Sequence, residues 1–149
     1  MARRKNAPIV LPPLPGSPVL IDPRCENPLD YMALDLLGTF WFVPIADEGT
    51  QNYQRAEYTI DILRLNYRDV LVEARHNAFD SYKARLYEYQ NRKTNGADRN
   101  ELNRLIKSLK KMHHPTVWAE MKRQYTSHDE LKRLFQNIPE ALSWCFHVE

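Results

Sequence analysis

Apolar positions recur at steps of three and four over most of the chain, and they predict a run of helices. Residues 52–65 place Tyr53, Ala56, Thr59/Ile60 and Leu63 at helical spacing. Asn66 interrupts that pattern and is suited to cap the next helix. There Tyr67, Val70/Leu71, Ala74, Ala78, Tyr82, Leu86 and Tyr89 form one stripe to about Arg92, and Thr94-Asn95-Gly96 supplies a terminating turn. Asp98 can cap a third helix with Leu102, Leu105/Ile106 and Leu109 on its buried side. Pro115, after His114, suits the first turn of a short fourth helix carrying Val117, Trp118 and Met121. Ser127 and Glu130 match a capping box for a fifth, with Leu131, Leu134 and Phe135 inside. Pro139 starts a last turn through Leu142, Trp144 and Phe146.

The first third reads differently. Two β-prone runs flank Gly38 and predict a short β-hairpin at about 31–44. Its triple Phe40-Trp41-Phe42 cannot turn all three rings to one strand face, so one ring must face out or be covered. Residues 1–18 contain Pro8, Pro12, Pro13, Pro15 and Pro18 and predict an extended, Pro-rich strap without a core of its own. The expected fold class is mainly α: the strap over 1–18, then one domain over 19–149 with the hairpin and a bundle of about five helices.

Composition narrows the functional classes. Apolar residues at 43% and charged residues at 27% are ordinary for a globular protein and exclude a wholly disordered chain. Lys and Arg number 21 against 19 Asp and Glu, so no chain-wide basic field marks a DNA-packaging protein. Cys25 and Cys145 lie far apart in sequence and cannot form a thiolate zinc site alone. No apolar stretch is long enough to span a membrane and no secretory signal opens the chain, which makes a cytoplasmic location the expectation.

The four glycines are isolated, so no phosphate-cradling loop is present, and neither G-x-S-x-G nor H-E-x-x-H occurs. His113-His114 is the only histidine pair, and adjacent side chains at a helix start point apart rather than chelating one ion. Asp22 and Asp30 flank a Pro-rich turn and suit turn hydrogen bonding. The positive charge is unevenly distributed. Between Arg92 and Lys111, seven Lys and Arg face only Asp98 and Glu101. Arg104, Lys107 and Lys111 share a helix face, with Lys110 beside them, and Lys122-Arg123 and Lys132-Arg133 extend the tally. Arg104, Lys107, Lys110, Lys111, Lys122 and Arg123 are therefore the candidate nucleic-acid-binding residues, able to neutralise phosphates without reading sequence. The alternative is a solvated helix face. Tyr82, Tyr87 and Tyr89 could stack on bases, although Tyr82 and Tyr89 fall on the core stripe.

The segment Pro-Pro-Leu-Pro-Gly-Ser-Pro-Val-Leu-Ile-Asp-Pro-Arg-Cys-Glu-Asn-Pro-Leu-Asp-Tyr at 12–31 resembles part of bacterial HNH endonuclease-like proteins, especially those common in cyanobacteria. So do Leu-Asp-Leu-Leu-Gly-Thr-Phe at 34–40, Phe-Val-Pro-Ile-Ala at 42–46 and Tyr-Gln-Arg-Ala-Glu-Tyr-Thr-Ile at 53–60. Leu-Arg-Leu-Asn at 63–66, Glu-Ala-Arg at 73–75, His-Pro-Thr-Val-Trp at 114–118, Glu-Met-Lys-Arg-Gln at 120–124 and Pro-Glu-Ala-Leu-Ser-Trp at 139–144 continue the series in order. No single motif among them is diagnostic. The resemblance implies that the catalytic half, with its Cys, His and Asn residues and its divalent metal, lies upstream of what this chain contains. No catalytic residue is carried over, no cofactor is expected in this chain, and a truncated gene or one half of a split protein is the expected origin.

Two functional classes follow. In the first, the chain is a C-terminal accessory region of an HNH endonuclease-like protein, not catalytic alone, with DNA and a separate catalytic half as partners. In the second, it is a small helical interaction module serving as a subunit of a larger assembly, with the strap and the aromatic triple as partner contacts. Binding to nucleic acid that falls steeply with salt separates the first from the second. An independent enzyme is the weakest reading, because no nucleophile–base pair can be assembled from these residues.

Overall fold

The structure is a computed structural model, and it describes Gly16 and residues 19–146. The strap assigned to 1–18 lies outside the described residues apart from Gly16, as does His147. The described chain is mainly helical with one short antiparallel hairpin, as the hydrophobic pattern predicts. The strands are β1 (Met32–Leu34) and β2 (Phe42–Pro44), and the helices are α1 (Gln51–Ile62), α2 (Asp69–Thr94), α3 (Arg99–Lys110), α4 (Pro115–Gln124) and α5 (Asp129–Asn137). Short 3-10 turns occupy Pro28–Asp30, Tyr125–Ser127 and Pro139–Ser143. The residues group into two compact units, one of 19–35 with 41–72 and the other of 36–40 with 73–146.

The first unit holds the hairpin strands and α1. Met32 pairs with Pro44, Ala33 with Val43 and Leu34 with Phe42. Alternation turns Phe42 toward a core of Ile21, Met32, Ala56 and Ile60, and leaves Trp41, Val43 and Ile45 exposed. The aromatic triple is resolved as its spacing requires: Phe40 is buried, Phe42 is half-buried and Trp41 faces out. Tyr31 O accepts from Ile45 N and Trp41 O from Asp35 N, so the polar groups of Phe42 and Pro44 point away from β1. Pro44 has no N–H to offer there. The Asn66 carboxamide satisfies Phe42 on both sides, accepting from its N at 2.7 Å and donating to its O at 2.8 Å. This corrects the capping role expected of Asn66. The side chain reaches the strand edge, and α2 begins three residues later, at Asp69.

Helices α1 and α2 stop in the same way. At the end of α2, Gly96 adopts φ 79°, its N–H bonds to Lys93 O and the Ala97 N–H bonds to Arg92 O. At the end of α1 the same pair of bonds runs from Arg64 N to Asp61 O and from Leu65 N to Ile60 O, with Leu65 packed on the Ile60 cluster. Here the left-handed position, φ 53°, holds Arg64 in place of the usual glycine.

A half-buried ion pair ties the turn before β1 to α1. Arg55 donates through Nη1 to Glu26 Oε1 at 2.9 Å and through Nη2 to Oε2 at 2.7 Å, and Nη2 also donates to Leu20 O. The Tyr31 hydroxyl donates to the same carboxylate at 2.7 Å. The Arg55 guanidinium and then the Tyr31 hydroxyl hold Glu26 down to about 2, from an ordinary 4.5. A carboxylate with a depressed folded-state pKa stabilises fully above its unfolded value and loses that contribution as pH falls. The melting temperature of the native chain is therefore expected to drop more between pH 5 and 2.5 than that of a Glu26→Gln variant. Parallel pH curves for the two proteins would show that the pair is not linked to folding.

The second unit is built on α2, whose buried residues Arg75, Ala78, Phe79, Tyr82, Leu86 and Tyr89 follow the helical period. Tyr67 and Val70, expected on this stripe, are exposed: Tyr67 precedes the helix, which begins only at Asp69, and Val70 lies in its first turn ahead of the buried stretch that starts at Arg75. Trp118 of α4 stacks on Phe146 at 4.5 Å, lies 5.5 Å from Tyr82 and 6.0 Å from Phe135, and donates its indole N–H to Trp144 O at 3.1 Å. Phe40 belongs to this unit and stacks on His76, while its carbonyl accepts from Arg75. The capping box at Ser127 and Glu130 is not formed. Ser127 sits in a 3-10 turn, and the Glu130 carboxylate accepts from Lys83 at 3.0 Å and Tyr87 at 3.1 Å instead. A charged partner displaces the weaker backbone bond.

Candidate nucleic-acid interface

The candidate interface is α3, and its sequence explains both its start and its orientation. The Asp98 side chain caps the helix by accepting from Glu101 N at 2.8 Å. Lys107 and Lys110 fall in the last turn, where cations complement the helix dipole. Leu109 is wholly buried, and Leu102, Leu105 and Ile106 on the same side are half-buried. At 3.6 residues per turn, Arg104, Lys107 and Lys111 lie opposite that row.

Every exposed position from Arg99 to Lys111 is basic or a carboxamide: Arg99, Asn100, Asn103, Arg104, Lys107, Lys110 and Lys111. Glu101, the helix's own carboxylate, is held by Arg92 at 2.8 Å. Among the described residues, none of the five cations on this face makes an ion pair or a side-chain hydrogen bond, and neither asparagine side chain does. Elsewhere ion pairs occupy Arg24, Arg55, Lys83, Arg85, Arg92, Lys93 and Arg123. The α3 face is thus a concentration of unneutralised charge in a chain that is nearly neutral.

Arg104, Lys107, Lys110 and Lys111 are brought together on α3, whereas Lys122 and Arg123 are on α4 and engaged in packing. Lys122 donates to Trp144 O at 2.8 Å and lies over the Trp118 ring. Arg123 pairs with Glu120, a wholly buried carboxylate, at 2.5 Å. Lys132 and Arg133 are exposed on α5 but share that helix with Asp129 and Glu130. Tyr82 and Tyr89 are buried, so they are unavailable for base stacking, while Tyr87 is exposed. Burial first, then the charge of Arg75, lowers the pKa of His114, which adds no charge to the connection after α3 at neutral pH. Sequence reasoning missed Asn100 and Asn103. They recur on the polar counterpart of the leucine row, and that spacing could have found them.

Among the described residues no other site gathers comparable chemistry. Among the described residues there is no group of three His, Cys, Asp or Glu side chains placed to hold a metal ion, and no helix long and apolar enough to cross a membrane. Cys25 and Cys145 are free and exposed. Asp22 accepts from Arg24 N, the turn bond expected of it. No protein-family model, curated protein or solved structure matches this chain.

Proposed function

We propose that this chain is a nucleic-acid-associated accessory element that grips a phosphate backbone through the exposed face of α3. One observation carries the reading: five cations on one helix face with no intramolecular carboxylate to neutralise them. A solvated face that only maintains solubility is expected to interleave both signs of charge, and here the carboxylate of the helix, Glu101 at the border of the face, is taken up by Arg92. The resemblance of its short motifs to HNH endonuclease-like proteins fits an accessory place beside a catalytic lobe, with cutting left to that lobe. A second reading, an interaction module, draws on the outward row Trp41, Val43 and Ile45 of the hairpin.

The test is binding of the full chain to nucleic acid as salt is raised. Affinity should fall linearly on a log–log plot against salt, with a slope set by the number of phosphates neutralised. Lys107→Glu with Lys111→Glu should weaken binding at 50 mM salt by roughly ten-fold or more, with a melting temperature lowered only slightly, since both residues are exposed and the cost is confined to the helix dipole at the end of α3. Unchanged affinity in the double variant would return α3 to the role of a solvated face.

A further inference from the structure

We infer that α3 is a groove-reading helix for duplex DNA, with Arg99, Asn100, Asn103 and Arg104 toward base edges and Lys107, Lys110 and Lys111 on phosphates. This rests on the nucleic-acid reading above and makes it specific. The exposed face divides along its length. Its first half holds only Asn and Arg, the side chains whose paired donors and acceptors match adenine and guanine in the major groove. Its second half holds only Lys, a compact charge on a flexible stem suited to phosphate. Helices that enter the major groove commonly contact base edges with their N-terminal residues.

The two asparagines point the same way. Asn is a poor residue for an exposed helix interior, where Ala, Gln, Glu or Lys is preferred. Neither Asn100 nor Asn103 offsets this with a side-chain hydrogen bond inside the described protein. Their donors and acceptors are left for an external partner.

The shape fits a duplex. Leu109 alone among the residues of α3 is completely buried, so the helix is shallowly seated and offers a broad side to solvent. A helix of this length spans about 18 Å and is roughly 10–12 Å across. The major groove of B-DNA, about 12 Å wide, admits that cylinder. The major groove of A-form RNA is too narrow for it.

The experiment uses the full chain and three probes of one sequence: duplex DNA, single-stranded DNA and duplex RNA, followed by selection from a pool of randomised duplex DNA. The expected results are tightest binding to duplex DNA and enrichment of a short motif from the pool. Asn100→Ala with Asn103→Ala should lower that enrichment roughly ten-fold while leaving the salt slope intact. Lys107→Ala should instead reduce the slope by about 1 at equal enrichment. Both variants lie on the exposed face, and an unchanged circular dichroism melt verifies that they fold. A pool that stays random, or equal binding to all three probes, overturns groove reading and leaves phosphate binding standing. No binding to any probe at 50 mM salt overturns the nucleic-acid reading itself.

Discussion

Trp118→Ala should destabilise the second unit by about 3–5 kcal/mol, the range found for truncating a large buried aromatic side chain. The indole is almost wholly removed from solvent and packs among Tyr82, Phe135, Trp144 and Phe146. Its N–H donates to Trp144 O, so truncation also removes one of that carbonyl's two donors and leaves Lys122 as the other. A domain stable by roughly 5–15 kcal/mol loses a large part of its margin to such a change. Urea denaturation followed by far-ultraviolet circular dichroism measures it. Trp118→Phe should fall between the two, since it keeps a ring and loses the hydrogen bond. A loss below about 1 kcal/mol for the alanine variant would mean that the aromatic cluster is not the centre of this unit.

Arg123→Ala should cost roughly 2–3 kcal/mol of stability and leave nucleic-acid affinity unchanged. The guanidinium faces both oxygens of Glu120, which has no exposure to solvent. Removing it leaves a buried carboxylate with Gln124 as its remaining partner on α4. Breaking one side of a buried pair is strongly destabilising, and the partial exposure of Arg123 places the effect below the full range. Glu120→Leu gives the complementary result: with the charge itself gone, stability should be close to native or higher. Arg123 follows Lys122 in a basic doublet, so the sequence alone offers it to a phosphate. An Arg123→Ala protein that melts like the native chain yet loses affinity would restore it to the interface.

The elements legible in the sequence are those governed by short-range rules. The apolar period located all five helices, and Asp98 and Gly96 marked a start and a stop that the structure uses. The hairpin was legible from two β-prone runs, and from the period of a strand that the three rings at 40–42 could not share one face; that Trp41 is the ring facing out was not. Features set by partners distant along the chain were not. Glu130 reads as half of a capping box until Lys83 is brought to it, and Asn66 reads as a helix cap until β2 is placed beside it. The charged row of α3 was legible as composition. That its cations are unpaired depends on where Glu101 points, which only the fold determines.

The treatment of the outer edge of β2 has a consequence for how the chain behaves when crowded. A two-stranded sheet ordinarily exposes bonding groups that a strand from another molecule can extend, and growth of that kind has no natural end. Here one carboxamide occupies the bonding positions of Phe42, and an imino acid leaves Pro44 without a donor. Along this edge the sheet is finite by construction. The apolar row Trp41, Val43 and Ile45 can therefore stay open to a partner's side chains without β2 also becoming a template for strand-by-strand polymerisation.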